Sequence, residues 1–439
     1  MTKLLHPVLV VVFTVAAAAA PASNVTYTVI ANLNYPYTEP YGLIEGSPGV
    51  FYITSSGSIF SVTSQGMVTG LASYPDPPYI VASAPGAIGA NGLFYSSIEH
   101  SLTYWVGNVI SAKAPPPTLT TYPNSNWVIF FAPGSLPSGD LFGIAYDVPT
   151  GSINLAIADL NGNVVPLYQF PASYVGGGPS TPIYGDYGSY YGIFQAVGSP
   201  TASLYQFTPS GAFNVTSLPF CGIGTVLQGS DGNFYGIQPS GGCLSSQHGA
   251  VFKLTPAGQF SILHDFGVAS YGFSTVESLI EGSDGKLYGD DQYASLFFSL
   301  TKSGHYEPLF QATDPYTQGI CPCAIIQGSD GIIYGTAVYG GSSSANDGVI
   351  FALDAGLPVP KPRARHFSPL AGRVSTKVRI WGQNLFGASV QFNGAAATTV
   401  TNGGPDYVWA TVPAGATTGP ITVTTPGGSS TLKPNFTVK

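Results

Sequence analysis

One phrase of ten residues recurs along the chain, as Leu43–Tyr52 (LIEGSPGVFY), Val226–Tyr235 (VLQGSDGNFY), Leu279–Tyr288 (LIEGSDGKLY) and Ile325–Tyr334 (IIQGSDGIIY). An apolar pair reads as a strand end. Ser-Asp-Gly, or Ser-Pro-Gly in the first copy, reads as a turn whose glycine takes positive φ. The segment ending in Tyr reads as the returning strand. The last three copies start at intervals close to the ~40–50 residues typical of propeller repeats. A chain built this way is an array or ring of one supersecondary unit.

The unit is clearest around the second copy. Residues 224–228, 233–237, 250–255 and 259–264 alternate as strands separated by Gly- or Pro-containing turns. Four consecutive antiparallel strands make one propeller blade. Weaker copies run through Ile80–Tyr95, Ser138–Gly143 and Pro182–Gly192, the last completed by 204–211. The expected fold is therefore all-β, a propeller of seven units, although the blurred middle copies also admit six or eight. The last unit breaks off after Leu353-Asp354 without a fourth strand, whereas Tyr27–Leu33 matches the fourth strand at Phe260–Phe266. The N-terminal strand is expected to complete the last unit and close the ring, because an open array leaves two exposed edges.

Composition agrees with short strands and tight turns. Of 439 residues, 56 are Gly and 37 Pro, and 44% are hydrophobic, enough to build a core. Only 8% are charged, against about 25% in ordinary globular proteins. A net charge of −8 with no basic run argues against nucleic-acid partners. Residues 1–22 read as a signal peptide: Lys3, an apolar stretch from Val8 to Ala20, and the Ala20-Pro21-Ala22 cleavage site. No later segment is long and apolar enough to span a membrane as a helix. Cysteines 221, 243, 321 and 323 suit an oxidising space. Cys221 and Cys243 flank one hairpin and are the favoured disulfide, while a Cys321–Cys323 bridge would close a very small, strained ring.

After residue 357 the vocabulary changes. Residues 358–364 form a Pro-rich, extended linker, and 365–439 alternate as short strands with turn punctuation, including Asn393-Gly394. That pattern predicts a small β-sandwich. Residues 23–357 form the expected propeller.

Two family resemblances follow from these residues. Gly-Ser-Asp-Gly-x-apolar-Tyr-Gly, together with Gly249–Gly258 (GAVFKLTPAG), resembles the GloVer-type tandem repeats of bacterial surface and secreted proteins. The likeness is strong over 226–354, moderate at 43–66 and weak from 80 to 210. It implies export or a cell-surface location and no defined reaction. Residues 366–438, with Phe367–Gly372, Val378–Leu385, Ala388–Gly394 and Gly419–Gly428, resemble an IPT/TIG immunoglobulin-like domain. In exported bacterial proteins that resemblance implies a spacer or interaction module.

Little in the sequence points to chemistry. Asp231, Asp284 and Asp330 read as turn residues, because a calcium loop needs several oxygen ligands and each turn offers one carboxylate. His264 reads as a packing residue, and neither H-E-x-x-H nor G-x-S-x-G occurs. Asp290-Asp291 reads as a pair of solvated loop acids. No catalytic residue, metal site or cofactor is expected. The ligand candidates are aromatic residues in the loops joining second to third and fourth to first strands: Tyr35, Tyr37, Tyr41, Tyr271, Phe273, Tyr293, Tyr316 and Tyr339. Exposed rings there would stack on sugar faces. The expected function is non-catalytic recognition of carbohydrate, another envelope polymer or another surface protein. The alternatives are an extracellular polysaccharide hydrolase or lyase and a purely structural envelope protein.

Overall fold

The structure is a computed structural model. The residues described are 25–439, apart from 35–39, 56–57, 74–85, 90, 100–106, 114–117, 126, 137–138, 148, 171–178, 186–187, 197, 209, 221, 239–248, 268–275, 292–294 and 342–346. The signal-like segment and Cys221 and Cys243 lie outside them.

The chain is all-β and propeller-like. Up to residue 354 the described residues form seven four-stranded antiparallel sheets, six of them built from four consecutive strands. The fifth holds Val226–Gln228, Phe234–Gln238, Ala250–Leu254 and Phe260–Asp265, each paired with its sequence neighbour. The seventh contains Ile320–Gln327, Ile333–Tyr339 and Val349–Asp354 and takes its fourth strand, Thr26–Asn32, from the N-terminus. Thr26 pairs with Asp354 and Asn32 with Val349. The described part of the chain thus begins and ends this region in one sheet.

The repeated phrase explains each unit's hairpin. Gly232, Gly285 and Gly331 have φ of +82°, +85° and +96°, a region where a side chain would strain the turn. The glycine after each Tyr has a different task. A Cβ on Gly236, Gly289 or Gly335 would lie 2.5, 2.6 or 2.1 Å from the ring of Phe252, Phe298 or Phe351 on the third strand. Those rings are buried in the space the missing side chain leaves.

Apolar side chains fill the gaps between successive sheets. One core joins Tyr334 and Ile350 of the seventh sheet to Leu33, Leu43, Phe51 and Phe60. Across the first and second sheets Tyr52 stacks on Phe94 with centroids 5.1 Å apart. Across the third and fourth, Phe142 stacks on Tyr190 at 3.7 Å. The N-terminal strand is anchored the same way, Tyr27 stacking on Phe310 at 4.3 Å and on Phe351 at 5.2 Å.

The strand Arg363–Ser368 starts inside the segment expected as linker, pairing Arg363 with Gln383 and Ala364 with Gly382. From there two four-stranded sheets enclose a separate core of Phe367, Val378, Ile380, Val390, Val408 and Phe436. Arg379 is buried at its edge, its guanidinium 4.2 Å from the ring centre of Tyr407 and 4.9 Å from that of Trp381.

Tyr27→Ala is expected to cost about 3 kcal/mol, the usual scale for truncating a packed ring. Removing residues 26–32 should cost more, because it also bares the edge of Val349–Asp354. Urea unfolding measures both, and an unchanged midpoint after the deletion would contradict the role given to this strand.

Candidate functional site

The repeated chemistry of the phrase is engaged in holding the sheets. In each Ser-Asp-Gly turn, one aspartate oxygen accepts the backbone N–H two residues on. That donor is Asn233 at 3.2 Å from Asp231, Lys286 at 3.1 Å from Asp284 and Ile332 at 3.0 Å from Asp330. The other oxygen accepts the hydroxyl of the Tyr four residues on, at 2.7 Å from Tyr235, 3.0 Å from Tyr288 and 2.7 Å from Tyr334. Both oxygens serve the hairpin, as the turn reading expects.

The Glu or Gln before Gly-Ser reaches outside its own sheet. Glu281 accepts the Ser230 backbone N–H at 2.7 Å and its hydroxyl at 2.5 Å. Gln327 accepts the Ser283 N–H at 2.9 Å and donates to the Ser283 hydroxyl at 2.9 Å. Glu45 accepts the Ser329 N–H and hydroxyl, both at 2.8 Å, and the N–H of Gly49 at 2.8 Å. The sixth and seventh sheets therefore each grip the turn serine of the sheet before, and Glu45 makes the first sheet grip the seventh. Lys302 reinforces one clasp, its ammonium 2.6 Å from Glu281 and 3.6 Å from Asp231.

Two carboxyls at these seams are perturbed in opposite senses. Burial raises the Glu45 carboxyl above 4.5, opposed by hydrogen bonds from Gly49 and Ser329, with the nearby Asp330 charge adding to the rise. Partial burial would also raise Asp231, but the Tyr235 hydroxyl, Asn233 and Lys302 outweigh it and hold the group at about 2.

Asp290 and Asp291 correct a sequence expectation. They are not solvated loop acids but the last two residues of the strand Leu287–Asp291, 0% and 7% exposed. Pairing of Val276 with Asp291 carries the strand past the point where Gly289 pairs with Leu279, across an irregularity in the first strand. Asp290 accepts the Ser278 N–H of that irregularity at 3.2 Å. Neighbouring residues of a strand point to opposite faces, so the two carboxyls do not flank a common space.

His264 is stacked on Tyr306, centroids 4.1 Å apart, in the seam between the fifth and sixth sheets. Burial lowers its affinity for a proton.

Among the eight aromatic candidates, Tyr35, Tyr37, Tyr271, Phe273 and Tyr293 lie outside the described residues. Tyr316 belongs to the one-turn helix Pro315–Gln318, which precedes the seventh sheet. Tyr41 enters the first strand Pro40–Ser47, and Tyr339, 39% exposed, ends Ile333–Tyr339. Tyr41 and Tyr339 stand on adjoining sheets at the strand ends opposite the Ser-Asp-Gly turns. Among the described residues no group of three or more His, Cys, Asp or Glu is placed to hold a metal, and no helix is long and apolar enough to cross a membrane.

The turn end is occupied differently. Pro358 O of the linker accepts the Ser283 hydroxyl at 2.5 Å, and Arg365 donates to Tyr184 O at 2.9 Å.

The family model described as the Gloeobacter/Verrucomicrobia repeat matches residues 222–409, from the start of the fifth sheet across the linker into the C-terminal sheets. A streptogramin B lyase structure is similar at 15% identity with a TM-score of 0.53, covering 76% of this chain and 98% of that one. A selenomethionine-substituted virginiamycin B lyase from Staphylococcus aureus is similar at 16% identity with a TM-score of 0.52, covering 75% and 98%. At such identity the likeness is one of fold. No curated protein matches the sequence.

Removing both partners of the Glu45–Ser329 clasp by alanine should reveal a coupling of about 1–3 kcal/mol in a double-mutant cycle. Additivity of the two single losses would contradict the clasp.

The pH dependence has two limbs. A raised folded-state value means Glu45 contributes fully below pH 4.5 and less as pH rises through that value. A depressed value means Asp231 contributes above its ordinary 3.8 and loses that contribution as pH falls toward about 2. Urea midpoints against pH should flatten just above pH 4.5 in Glu45→Gln and between about pH 4 and 2 in Asp231→Asn. Curves parallel to wild type in both variants would refute the assignment.

Proposed function

We propose that this chain is an exported, non-catalytic recognition protein. In this reading the seven sheets close into a seven-bladed propeller and residues 365–439 form an immunoglobulin-like domain of the IPT/TIG kind. The ligand is an uncharged polymer, with carbohydrate the best fit. It meets the propeller at the end opposite the Ser-Asp-Gly turns.

One observation carries the reading. The repeating carboxylates and amides are engaged in turns and clasps, so ligand recognition falls to the loops that do not repeat. At that end the exposed Tyr339 offers a ring and a hydroxyl. An aromatic face stacks on the C–H face of a sugar, and the hydroxyl serves the sugar's polar rim. The charge-poor composition suits a neutral ligand whose binding depends little on salt. The signal-like residues 1–22 support export. The hydrolase reading draws no support from Asp290 and Asp291, because paired-carboxylate glycoside cleavage needs both groups flanking one bond.

An array of glycans and envelope polymers tests this directly, with reducing ends and unsaturated products measured on every hit. Binding without turnover is expected. Tyr339→Ala should weaken the best hit by up to about ten-fold, the scale of one ring contact, while Asp231→Asn leaves binding unchanged. Product release from any hit, or equal binding by Tyr339→Ala, would overturn the reading.

A further inference from the structure

The outermost strand of a propeller sheet is an edge, with backbone groups free to pair with another chain. Six of the seven outer strands here carry an irregularity against their neighbour. Register shifts occur at Ile59/Phe60, Gly107/Val109, Leu155/Ala156, Val251/Phe252, Phe297/Phe298 and Val29/Ala31. Most are one-residue bulges whose extra residue is Leu71, Leu167, Leu263, Leu309 or Ile30. Bulges twist an edge and spoil its pairing. Pro166 and Pro308 blunt two of these strands further.

Phe213–Ser217, the outer strand of the fourth sheet, is the exception. It pairs with Ser203–Phe207 residue for residue without a shift. The sequence shows why. Phe260-Ser261-Ile262-Leu263-His264-Asp265-Phe266 aligns with Phe213-Asn214-Val215-Thr216-Ser217-Leu218 only if the residue matching Leu263 is missing. The bulge residue has been deleted and the edge is flat.

The hydrogen-bond phase identifies the groups that face outward. Thr208 N–H donates to Ala212 O at one end, and Leu218 N–H donates to Ala202 O at the other, both at 2.9 Å. Antiparallel pairs alternate between bonded and non-bonded. Gln206/Asn214 and Leu204/Thr216 are thus the bonded pairs, and the N–H and C=O groups of Phe213, Val215 and Ser217 point away from the sheet. Val215 is 52% exposed.

We propose that this edge is a self-association site, where Phe213–Ser217 pairs antiparallel with the same strand of a second copy about a two-fold axis at Val215. A second copy fits for two reasons. Val215 then lies opposite itself and Phe213 opposite Ser217, so the outward groups of both strands meet in bonded pairs. The strand also carries no charge, so identical copies approach without local repulsion despite a net charge of −8 on each. The contact is isologous and uses one five-residue strand from each copy, so the dimer forms in a concentration-dependent way.

Sedimentation equilibrium of the purified protein over a concentration series tests this. The mass should rise from monomer toward dimer. Val215→Pro removes one outward donor that the ladder to Ser203–Phe207 does not use, and should weaken association at least about ten-fold. Val215→Lys, on a half-exposed side chain, should do the same by charge repulsion and serves if the proline variant fails to fold. Ile262→Lys on the bulged strand of the fifth sheet should leave association unchanged. A monomer at every concentration, undiminished association in Val215→Lys, or equal loss in Ile262→Lys would each overturn the proposal.

Discussion

Three successive seams between the sheets depend on one repeated interaction, a carboxylate or amide side chain closing on the serine of the preceding turn. A single four-stranded sheet cannot cover its own two faces, so each unit must be held against the next in a fixed register. Packing of apolar side chains supplies attraction with little direction. The Glu or Gln clasp adds direction, because it engages both the N–H and the hydroxyl of one serine. Glu281, Gln327 and Glu45 make it in succession. The last of these joins residues 284 apart in sequence, beside the seventh sheet's borrowed N-terminal strand. Side-chain clasp and strand exchange thus act at the same seam.

Where the phrase decays, rings take over. Ile88 stands where the clasp residue would be in the second sheet, and it packs with Tyr52 and Phe94. Phe142 on Tyr190 joins the third sheet to the fourth. The two kinds of seam differ in how they constrain sequence. A clasp fixes two residue types a full repeat apart, whereas a ring contact accepts many apolar partners. The match to the repeat family accordingly begins at residue 222, near the first of the three consecutive full phrases, and leaves the ring-packed sheets outside it.

Much of this was legible in the sequence. The turn glycines, the four-strand unit and the likeness of Tyr27–Leu33 to Phe260–Phe266 all reflect local chemistry or direct repetition. The clasp is written in the same phrase but is not local: its partner lies 51 residues away for Glu281 and Ser230. The bonds visible within a single hairpin, from Gly49 N–H to Glu45 and from Gln327 to Gly331 O, point only to turn chemistry. Asp290 and Asp291 were misplaced for a related reason. Two acids beside a loop signal exposure, yet an irregularity in the facing strand prolongs the ladder and buries them. The aromatic candidates followed from topology alone. Of those, Tyr41 and Tyr339 lie in strands and Tyr316 in a one-turn helix rather than in loops, and five others lie outside the described residues.

The two ends of the strands have been put to different uses by the same chain. At the turn end, Asp, Tyr, Ser and Glu or Gln satisfy one another, and the C-terminal segment then lies across them. Pro358 meets Ser283, Arg365 meets Tyr184, and Gly404 lies against Ile88. Substitution there disturbs a hairpin, a clasp or a contact with the C-terminal sheets. At the other end the connections vary in length and composition from unit to unit, and the hydrogen bond that recurs there is between backbone groups, as from Phe266 N–H to Gly249 O and from Leu33 N–H to Gly348 O. A backbone bond fixes no side chain, so a loop held that way can change in sequence without cost to the sheets. The residues best placed to acquire a ligand are therefore those the repeat never specified.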